Sequence, residues 1–303
     1  MHPHFNQVSV VGFLQDIGAS RRGVDMGSYA IRAEHLTAKL RSLGYQVLDQ
    51  GSVECLSMDD AQEEATGNLK YLSPILENMK RLKEVVEESV SLGALPIILG
   101  GDHSMAMGSI AGLQKKYQGN LGLLWVDAHG DFNTPETTLS GNIHGMPLSV
   151  IVGRGQEDLV NLGPFPGVRE ENTVLFGVRD LDPEEKKLLA QSKATVFTIR
   201  DIIQKGLYNC FEQALTIVTK GVDFFHLSFD MDSIDPQYAP GTGTPVIGGL
   251  TDREVLYLME RVYETGQLAS MDLVEVNPAL DVGNRTARLA VELILRAMGK
   301  VTA

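Results

Sequence analysis

The feature of the sequence that most constrains the fold is a series of short apolar runs that are rich in β-branched residues. Runs of this length and composition indicate buried strands. There are eight, at VSVVGF (8–13), YQVLD (45–49), PIILG (96–100), LGLLWVD (121–127), TVLFGV (173–178), ATVFTI (194–199), DFFHLSFD (223–230) and SMDLVEV (270–276). Apolar residues three and four positions apart predict helices between several of them, at 31–43, 68–93, 198–218 and 253–266. Because strands that alternate with helices build a mainly parallel sheet with helices on both faces, we predict an α/β fold.

The chain is long enough to bury one large core, and no feature of the sequence divides it. Its 303 residues are 43% hydrophobic and 21% charged, and they contain no repeat, low-complexity tract or linker rich in Pro, Gly and Ser. We therefore predict a single domain over residues 1–303.

Charge and cysteine content narrow the classes of function. The net charge of -13, without a block of Lys or Arg, argues against binding of nucleic acid and favours either a cationic substrate or simple solubility. No stretch approaches the roughly 20 apolar residues of a membrane span, and the start lacks the pattern of a signal peptide. The two cysteines, Cys55 and Cys210, match no disulfide, metal or redox pattern, so we predict a cytoplasmic protein with no membrane partner.

Polar residues follow four of the predicted strands. GGDHS (100–104), DAHGD (127–131), FDMDSIDP (229–236) and EVNP (275–278) each adjoin the end of an apolar run. Because parallel α/β sheets bind ligands beyond the carboxyl ends of their strands, we expect these four segments to form the functional site.

Two of these segments carry carboxylates and imidazoles on alternate residues. Alternate side chains of extended chain share a face, so the polar residues of 127–131 project together, and those of 230–232 do the same. One such pattern alone also suits capping and turn roles. With a histidine from GGDHS, however, the segments provide six candidate metal ligands, namely His103, Asp127, His129, Asp131, Asp230 and Asp232.

The number and type of these side chains favour two divalent cations. Buried carboxylates repel one another unless a cation neutralises them, and two divalent ions would cancel the charge of four aspartates. Carboxylate oxygens with two imidazoles and no thiolate suit Mn²⁺ and related hard ions better than a structural zinc. Because paired ions can hold and deprotonate a bridging water, we predict hydrolysis through attack by a metal-bound hydroxide.

Four other residues have predicted roles near this site. His144, on the loop after DAHGD, suits the relay of protons to a leaving amine, although an isolated histidine can also be structural. Glu275 lies at the end of the last predicted strand, where a carboxylate would suit the paired donors of a guanidinium. We expect His226 and Ser228 to make hydrogen bonds rather than to bind a metal directly.

The segments GGDHS, DAHGDFNTPETTLSGNIHG, SFDMDSIDP and EVNP resemble the motifs of the manganese-dependent ureohydrolases, the arginase family. The resemblance runs essentially end to end, from SRRGVDMGS (20–28) through APGTGTPVIGGLT (239–251) to VNPALDVGNRTA (276–287). It implies a three-layer α/β fold with an eight-stranded parallel sheet, and the hydrolysis of L-arginine to L-ornithine and urea.

The resemblance also implies roles for the individual candidate residues. One Mn²⁺ would be bound by His103, Asp127, Asp131 and Asp230. The other would be bound by Asp127, His129, Asp230 and Asp232. His144 is similar to the residue that relays protons in the family, and Glu275 to the carboxylate that holds the guanidinium.

The loop after the metal motif bears on the choice of substrate. By the resemblance, the α-carboxylate of arginine would be bound by Asn133, Thr138, Ser140 and Asn142. Neutral donors of this kind recognise a carboxylate without adding a cation near the metals. Asp182 and Glu185 would face the α-amino group, although DPEE is equally typical of a helix N-cap and first turn, and Thr244 would line the pocket.

Three alternatives stay open at this point. An agmatinase or guanidinobutyrase resembles the chain in the metal motifs but should lack the SGN segment of the loop, and a one-zinc deacetylase would not need both His103 and His129. A catalytically silent relative is the alternative from a different class.

The assembly also has two interpretations. Arg253 and Glu254 are similar to residues that pair between subunits in the family, which implies a homotrimer or homohexamer. The same segment is equally typical of the solvated face of an amphipathic helix.

Overall fold

The computed structural model of the protein describes residues 2–57, 59, 61, 67–164 and 166–301. Within these residues eight strands form one sheet, and each coincides with a predicted strand. They are β1 (Gln7–Phe13), β2 (Gln46–Val53), β3 (Leu95–Leu99), β4 (Leu121–Val126), β5 (Thr173–Val178), β6 (Thr195–Thr198), β7 (Phe224–Asp230) and β8 (Leu268–Val274).

Every pairing between these strands in the described chain is parallel, where the sequence predicted a mainly parallel sheet. The strand order is β2-β1-β3-β8-β7-β4-β5-β6. The last two strands along the chain therefore lie in the middle of the sheet, between β3 and β4. These central strands are buried along almost their whole length, which explains why their sequences are continuous apolar runs.

Helices cover both faces of the sheet. In the part of the chain that the structure describes, they are α1 (Gly27–Ala33), α2 (Leu36–Ser42), α3 (Leu72–Ser91), α4 (Ala106–Tyr117), α5 (Pro147–Ile151), α6 (Glu157–Val160), α7 (Pro183–Gln191), α8 (Ile199–Lys205), α9 (Leu207–Val218), α10 (Asp252–Thr265) and α11 (Arg285–Ala297). Short 3-10 helices follow β3 and β7, at 103–105 and 231–233. None of the described helices combines the length and the apolar character needed to cross a membrane.

Two apolar cores lie on opposite faces of the sheet. Alternate residues of a strand point to opposite faces, and in β4 Leu124 and Val126 belong to one core whereas Leu123 and Trp125 belong to the other. Helices α1, α2 and α8 to α11 pack in the first core, and α3 to α7 pack in the second. The prediction of helices on both faces, in three layers, is therefore confirmed.

Two of the predicted helices are interrupted. His35, with a φ of 62°, separates α1 from α2, and Gly206, with a φ of 86°, separates α8 from α9. A residue with a positive φ cannot continue a right-handed helix. The apolar spacing nevertheless persists across each break, so the sequence pattern did not reveal it. Helix α4 was not predicted, because most of its residues are buried and its sequence shows little contrast between faces.

Gly122 allows β4 to lie directly against α9. A Cβ atom at this position would be 1.8 Å from the carbonyl oxygen of Val218. We expect Gly122→Ala to lower the free energy of unfolding by about 1–3 kcal/mol, because the backbone of α9 must move away from the sheet. Denaturant unfolding measures the loss, and Gly145→Ala is the control because a Cβ there meets no atom within 4 Å. Equal losses in the two variants would contradict this prediction.

Candidate metal centre and active site

The four polar segments lie together at one edge of the sheet. They follow β3, β8, β7 and β4, which are consecutive neighbours in the strand order. Because these strands are parallel, their carboxyl ends meet at the same edge. The segments that are far apart in the chain become neighbours because β7 and β8 lie between β3 and β4.

His103 lies at the centre of one group of side chains. Its Nδ1 is 3.1–3.2 Å from one oxygen each of Asp127, Asp131 and Asp230, yet this buried nitrogen makes no hydrogen bond. Its Nε2 is 2.9 Å from the hydroxyl of Ser228. When Nε2 carries the proton, the lone pair of Nδ1 and three carboxylate oxygens point to one place, as ligands do around a cation.

Asp127 faces both imidazoles of the cluster. Its Oδ2 is 3.1 Å from Nδ1 of His103, and its Oδ1 is 3.4 Å from Nδ1 of His129. Nδ1 of His129 is also 3.2 Å from Oδ2 of Asp232. Asp127 therefore belongs to two groups of potential ligands, one with His103 and Asp230 and the other with His129 and Asp232. A carboxylate in this position can bridge two cations.

Local hydrogen bonds hold these carboxylates in place. Asp127 accepts a hydrogen bond from the backbone N of His129 at 2.7 Å, and Asp230 accepts one from the backbone N of Asp232 at 2.7 Å. Oδ2 of Asp232 accepts a hydrogen bond from the hydroxyl of Thr244 at 3.0 Å. The alternate spacing of these motifs thus orients the ligands as well as supplying them.

Burial and neighbouring charges shift the pKa values of several groups in the cluster. Burial and repulsion from Asp127 raise the pKa of Asp131 to about 6, and burial with repulsion from Asp232 and Asp127 raises the pKa of Asp230 well above its ordinary value. Burial opposes a charge on His129, but its carboxylate neighbours raise its pKa far above the usual range. The protein alone therefore retains protons here, and divalent cations fit in their place.

Glu275 and His144 form a pair beside this cluster. Nδ1 of His144 is 3.5 Å from Oε1 of Glu275, and the same oxygen accepts a hydrogen bond from the backbone N of His103 at 3.0 Å. Burial alone would lower the pKa of His144, but Glu275 raises it to about 9, so the imidazole carries a proton at neutral pH. Glu275 has a φ of 63°, a strained conformation of the kind that persists where position matters for function.

One cavity connects the cluster with residues 133–142, here called the polar loop. The predicted metal ligands, catalytic residues and substrate-binding residues all line this cavity, except Asp127. Among the described residues its lining has no Lys or Arg, but it has seven carboxylates, those of Asp131, Asp180, Asp182, Glu185, Asp230, Asp232 and Glu275. Acidic walls of this kind suit a cationic ligand.

Hydrogen bonds within the polar loop orient its hydroxyl groups. The backbone N of Gly141 donates to Oγ1 of Thr138 at 3.0 Å, and the backbone N of Asn142 donates to Oγ of Ser140 at 3.2 Å. Both hydroxyls act as acceptors in these bonds, so their hydrogens can be donated to an anionic group of a ligand.

Asp182 and Glu185 have the capping role that the sequence left open. They form a capping box at the start of α7, in which Glu185 accepts a hydrogen bond from the backbone N of Asp182 at 3.2 Å. Glu185 also accepts one from the backbone N of Phe132 at 2.8 Å, and Asp182 accepts one from Nδ2 of Asn133 at 3.0 Å. Burial raises the pKa of Glu185 to about 7. Because both carboxylates also line the cavity, capping and ligand contact are compatible.

The sequence analysis missed two residues of this site. Trp125 stacks on the ring of His103 with 3.9 Å between centroids, and its Nε1 donates to Oδ2 of Asp127 at 3.0 Å. Trp125 precedes Asp127 by two residues, and alternate residues of a strand share a face. The same alternation that grouped the ligands therefore places Trp125 on their face of the sheet. Asp180 lines the cavity, but no pattern in the sequence distinguishes it.

The predicted hydrogen bonds of His226 and Ser228 are present. Ser228 contacts His103, whereas His226 lies deeper in the sheet, with Nδ1 2.7 Å from the hydroxyl of Ser270 and Nε2 3.1 Å from Oδ2 of Asp272. Neither residue belongs to the two groups of potential metal ligands.

Arg253 and Glu254 lie at the start of α10. The carboxylate of Glu254 accepts hydrogen bonds from the backbone N and the hydroxyl of Thr251, which completes a capping box, and Arg253 is exposed. Capping accounts for Glu254 within one chain, so the pairing of these residues between subunits stays a prediction.

Comparison with known proteins agrees with this geometry. Residues 6–299 match the model of the Arginase family. The chain is 44% identical to an arginase of Bacillus subtilis (strain 168), across 97% of its own length and 98% of that relative. Its structure is similar to those of Bacillus caldovelox arginase (TM-score 0.95, 40% identity, 99% and 100% of the two chains) and Entamoeba histolytica arginase in complex with L-ornithine (TM-score 0.89, 30% identity, 98% and 100%). Because sequence and fold are shared over nearly the whole length, the chain belongs to the arginase family.

Proposed function

We propose that the protein hydrolyses L-arginine to L-ornithine and urea. The observation that carries this proposal is a single cavity that two groups of potential metal ligands share with a loop of neutral hydrogen-bond donors. The acidic walls suit the guanidinium and amino groups of arginine, and the polar loop suits its carboxylate. The relatives compared above are arginases, and one was solved with L-ornithine, the amine product of this reaction.

The proposal includes two Mn²⁺ ions in the cluster. One would be held by His103, Asp127, Asp131 and Asp230. The other would be held by Asp127, His129, Asp230 and Asp232. Two observations support this assignment: Nδ1 of His103 makes no hydrogen bond, and Asp127 contacts both His103 and His129. Carboxylate oxygens with two imidazoles also suit Mn²⁺. When bound, such a pair of ions supplies a water that is activated for attack at neutral pH.

The side chains of the cavity would bind the two ends of the substrate. Glu275 holds the guanidinium, and its Oε2 is the oxygen left for this role because Oε1 accepts the bond from His103. Asp182 and Glu185 face the α-amino group. The α-carboxylate accepts hydrogen bonds from the polar loop, through Asn133, Thr138, Ser140 and Asn142. Thr244, in the cavity wall, holds the carboxylate of Asp232.

His144 would supply the proton that the leaving amine needs. Its ion pair with Glu275 keeps the imidazole protonated, and it lies in the wall of the cavity beside the metal cluster. An imidazolium in this position can protonate the amine as the C–N bond breaks and then be reprotonated from solvent.

We further propose a cytoplasmic, single-domain subunit that assembles as a homotrimer or homohexamer. Both cysteines are unpaired, which suits a reducing compartment. One sheet contains strands from both halves of the chain, which supports a single domain. The exposed side chain of Arg253 at the start of α10 is available for a contact between subunits.

Urea release from L-arginine should disappear when a chelator removes the metal and should return with Mn²⁺. After Mn²⁺ is added back, we expect urea release by Asp230→Asn to stay about 100-fold or more below that of the wild-type protein. The reason is that a neutral amide replaces a shared anionic ligand. Urea release and the manganese content per chain are the measurements. Asp158→Asn changes an exposed aspartate of α6 and should recover fully. Full activity in the chelated protein would refute the metal assignment.

Agmatine, which lacks the α-carboxylate, tests the choice of substrate. We expect its kcat/KM to be lower than that of L-arginine by roughly 100-fold or more, because the donors of the polar loop are then left unpaired. The comparison uses the same manganese-loaded protein. If agmatine were the better substrate, the metal centre would stand and the assignment of the polar loop would be wrong.

His144→Asn should lower kcat by about 100-fold or more and change KM much less. The variant keeps a polar side chain but cannot donate a proton to the leaving amine. Steady-state urea release provides both constants, and manganese content shows whether the metal centre is intact. A variant that raised KM while leaving kcat unchanged would show that His144 binds substrate rather than transferring protons.

A further inference from the structure

The segment that precedes α3 runs alongside the polar loop. The backbone N of Lys70 donates to the carbonyl of Gly141 at 3.0 Å, and Nδ2 of Asn68 donates to the carbonyl of Pro135 at 3.2 Å. A Cβ atom at Gly141 would lie 2.3 Å from the carbonyl oxygen of Asn68, so a larger residue would push the two segments apart. Contacts that do not involve the Lys70 side chain therefore fix the position of Lys70 against the loop.

The ammonium group of Lys70 contacts a residue of the cavity wall. Its Nζ is 3.3 Å from Oδ1 of Asn142, and Nδ2 of Asn142 donates to the hydroxyl of Ser20 at 2.7 Å. Both ends of the Asn142 amide therefore have partners outside the polar loop. The side-chain partner of Lys70 is a neutral amide, so its positive charge is available to an anion.

The surroundings of the loop make this charge significant. The cavity lining carries seven carboxylates and, within the described chain, no Lys or Arg. Acidic walls attract the cationic groups of arginine but repel its carboxylate, and neutral donors alone offset that repulsion only in part. Lys70 places a cation against Asn142, a residue of the polar loop that lines the cavity.

We propose that Lys70 is a specificity-determining residue that selects substrates with an α-carboxylate. The inference rests on the proposed hydrolysis of arginine and adds a residue outside the polar loop to it. Lys70 acts on the substrate through its charge and through the orientation of Asn142. It therefore affects binding of the carboxylate end, and it leaves the chemistry at the guanidinium unchanged.

L-Arginine and L-argininamide provide a pair of substrates that differ at the carboxyl group, where a neutral amide replaces the carboxylate. We expect Lys70→Met to lower kcat/KM for L-arginine by roughly 10- to 100-fold, mainly through KM, which is the scale of a lost charge-assisted hydrogen bond. The loss for L-argininamide should be less than about twofold. Lys70→Arg should retain most of the preference for L-arginine over L-argininamide, since arginine keeps the positive charge. Lys80→Met, at an exposed lysine of α3, should leave both substrates unaffected.

Equal losses on the two substrates, or no loss on L-arginine, would overturn the role of Lys70. Equal losses would indicate a structural role instead. Wild-type protein that released no urea from L-arginine would overturn the proposed function, which is a separate outcome. Calorimetric binding of L-ornithine and putrescine then tests Lys70 without turnover. Lys70→Met should weaken binding of L-ornithine and not of putrescine, and equal weakening would count against the inference.

Discussion

Repulsion between four buried aspartates is the interaction that the rest of the site has to counter. The ends of β4 and β7 bring these buried carboxylates within reach of two imidazoles. The raised pKa values of Asp131 and Asp230 show the cost of this crowding, and protons on the imidazoles offset part of it in the protein alone. In our proposal, divalent cations take the place of those protons and neutralise the carboxylates.

The sheet provides the rigid support that such a site requires. Its central strands are buried between two apolar cores, and the ligands lie at the strand ends or within a few residues of them. Two site residues adopt left-handed conformations, Asp131 with a φ of 49° and Glu275 with a φ of 63°. Strain of this type costs on the order of 1–3 kcal/mol for each residue and persists only where the surrounding structure fixes it. For Glu275, the strands on both sides of β8 supply that constraint.

Chemistry and substrate selection are located in different parts of the fold. The potential metal ligands and Glu275 lie at the ends of strands, whereas in our proposal the carboxylate end of the substrate would face the polar loop and Lys70. The polar loop and the segment before α3 are held to each other by one backbone hydrogen bond and by one from the side chain of Asn68. Changes in this surface region can therefore alter which amidine is accepted while the metal geometry is retained.

The amino-acid sequence by itself determined the eight strands, the polar segments at their ends and the six potential ligands. Features of this kind depend only on residues that are close in the chain. Alternate side chains of a strand share a face, so the ligands within 127–131 project together, and so do those within 230–232. It left open whether Asp182 and Glu185 cap a helix or face the cavity, and the structure shows both. Only the tertiary structure decided that β7 and β8 lie between β3 and β4, that Trp125 stacks on His103, and that Lys70 reaches Asn142. Those contacts join residues far apart in the chain, and they form only when whole strands and helices pack, which no local pattern of residues specifies.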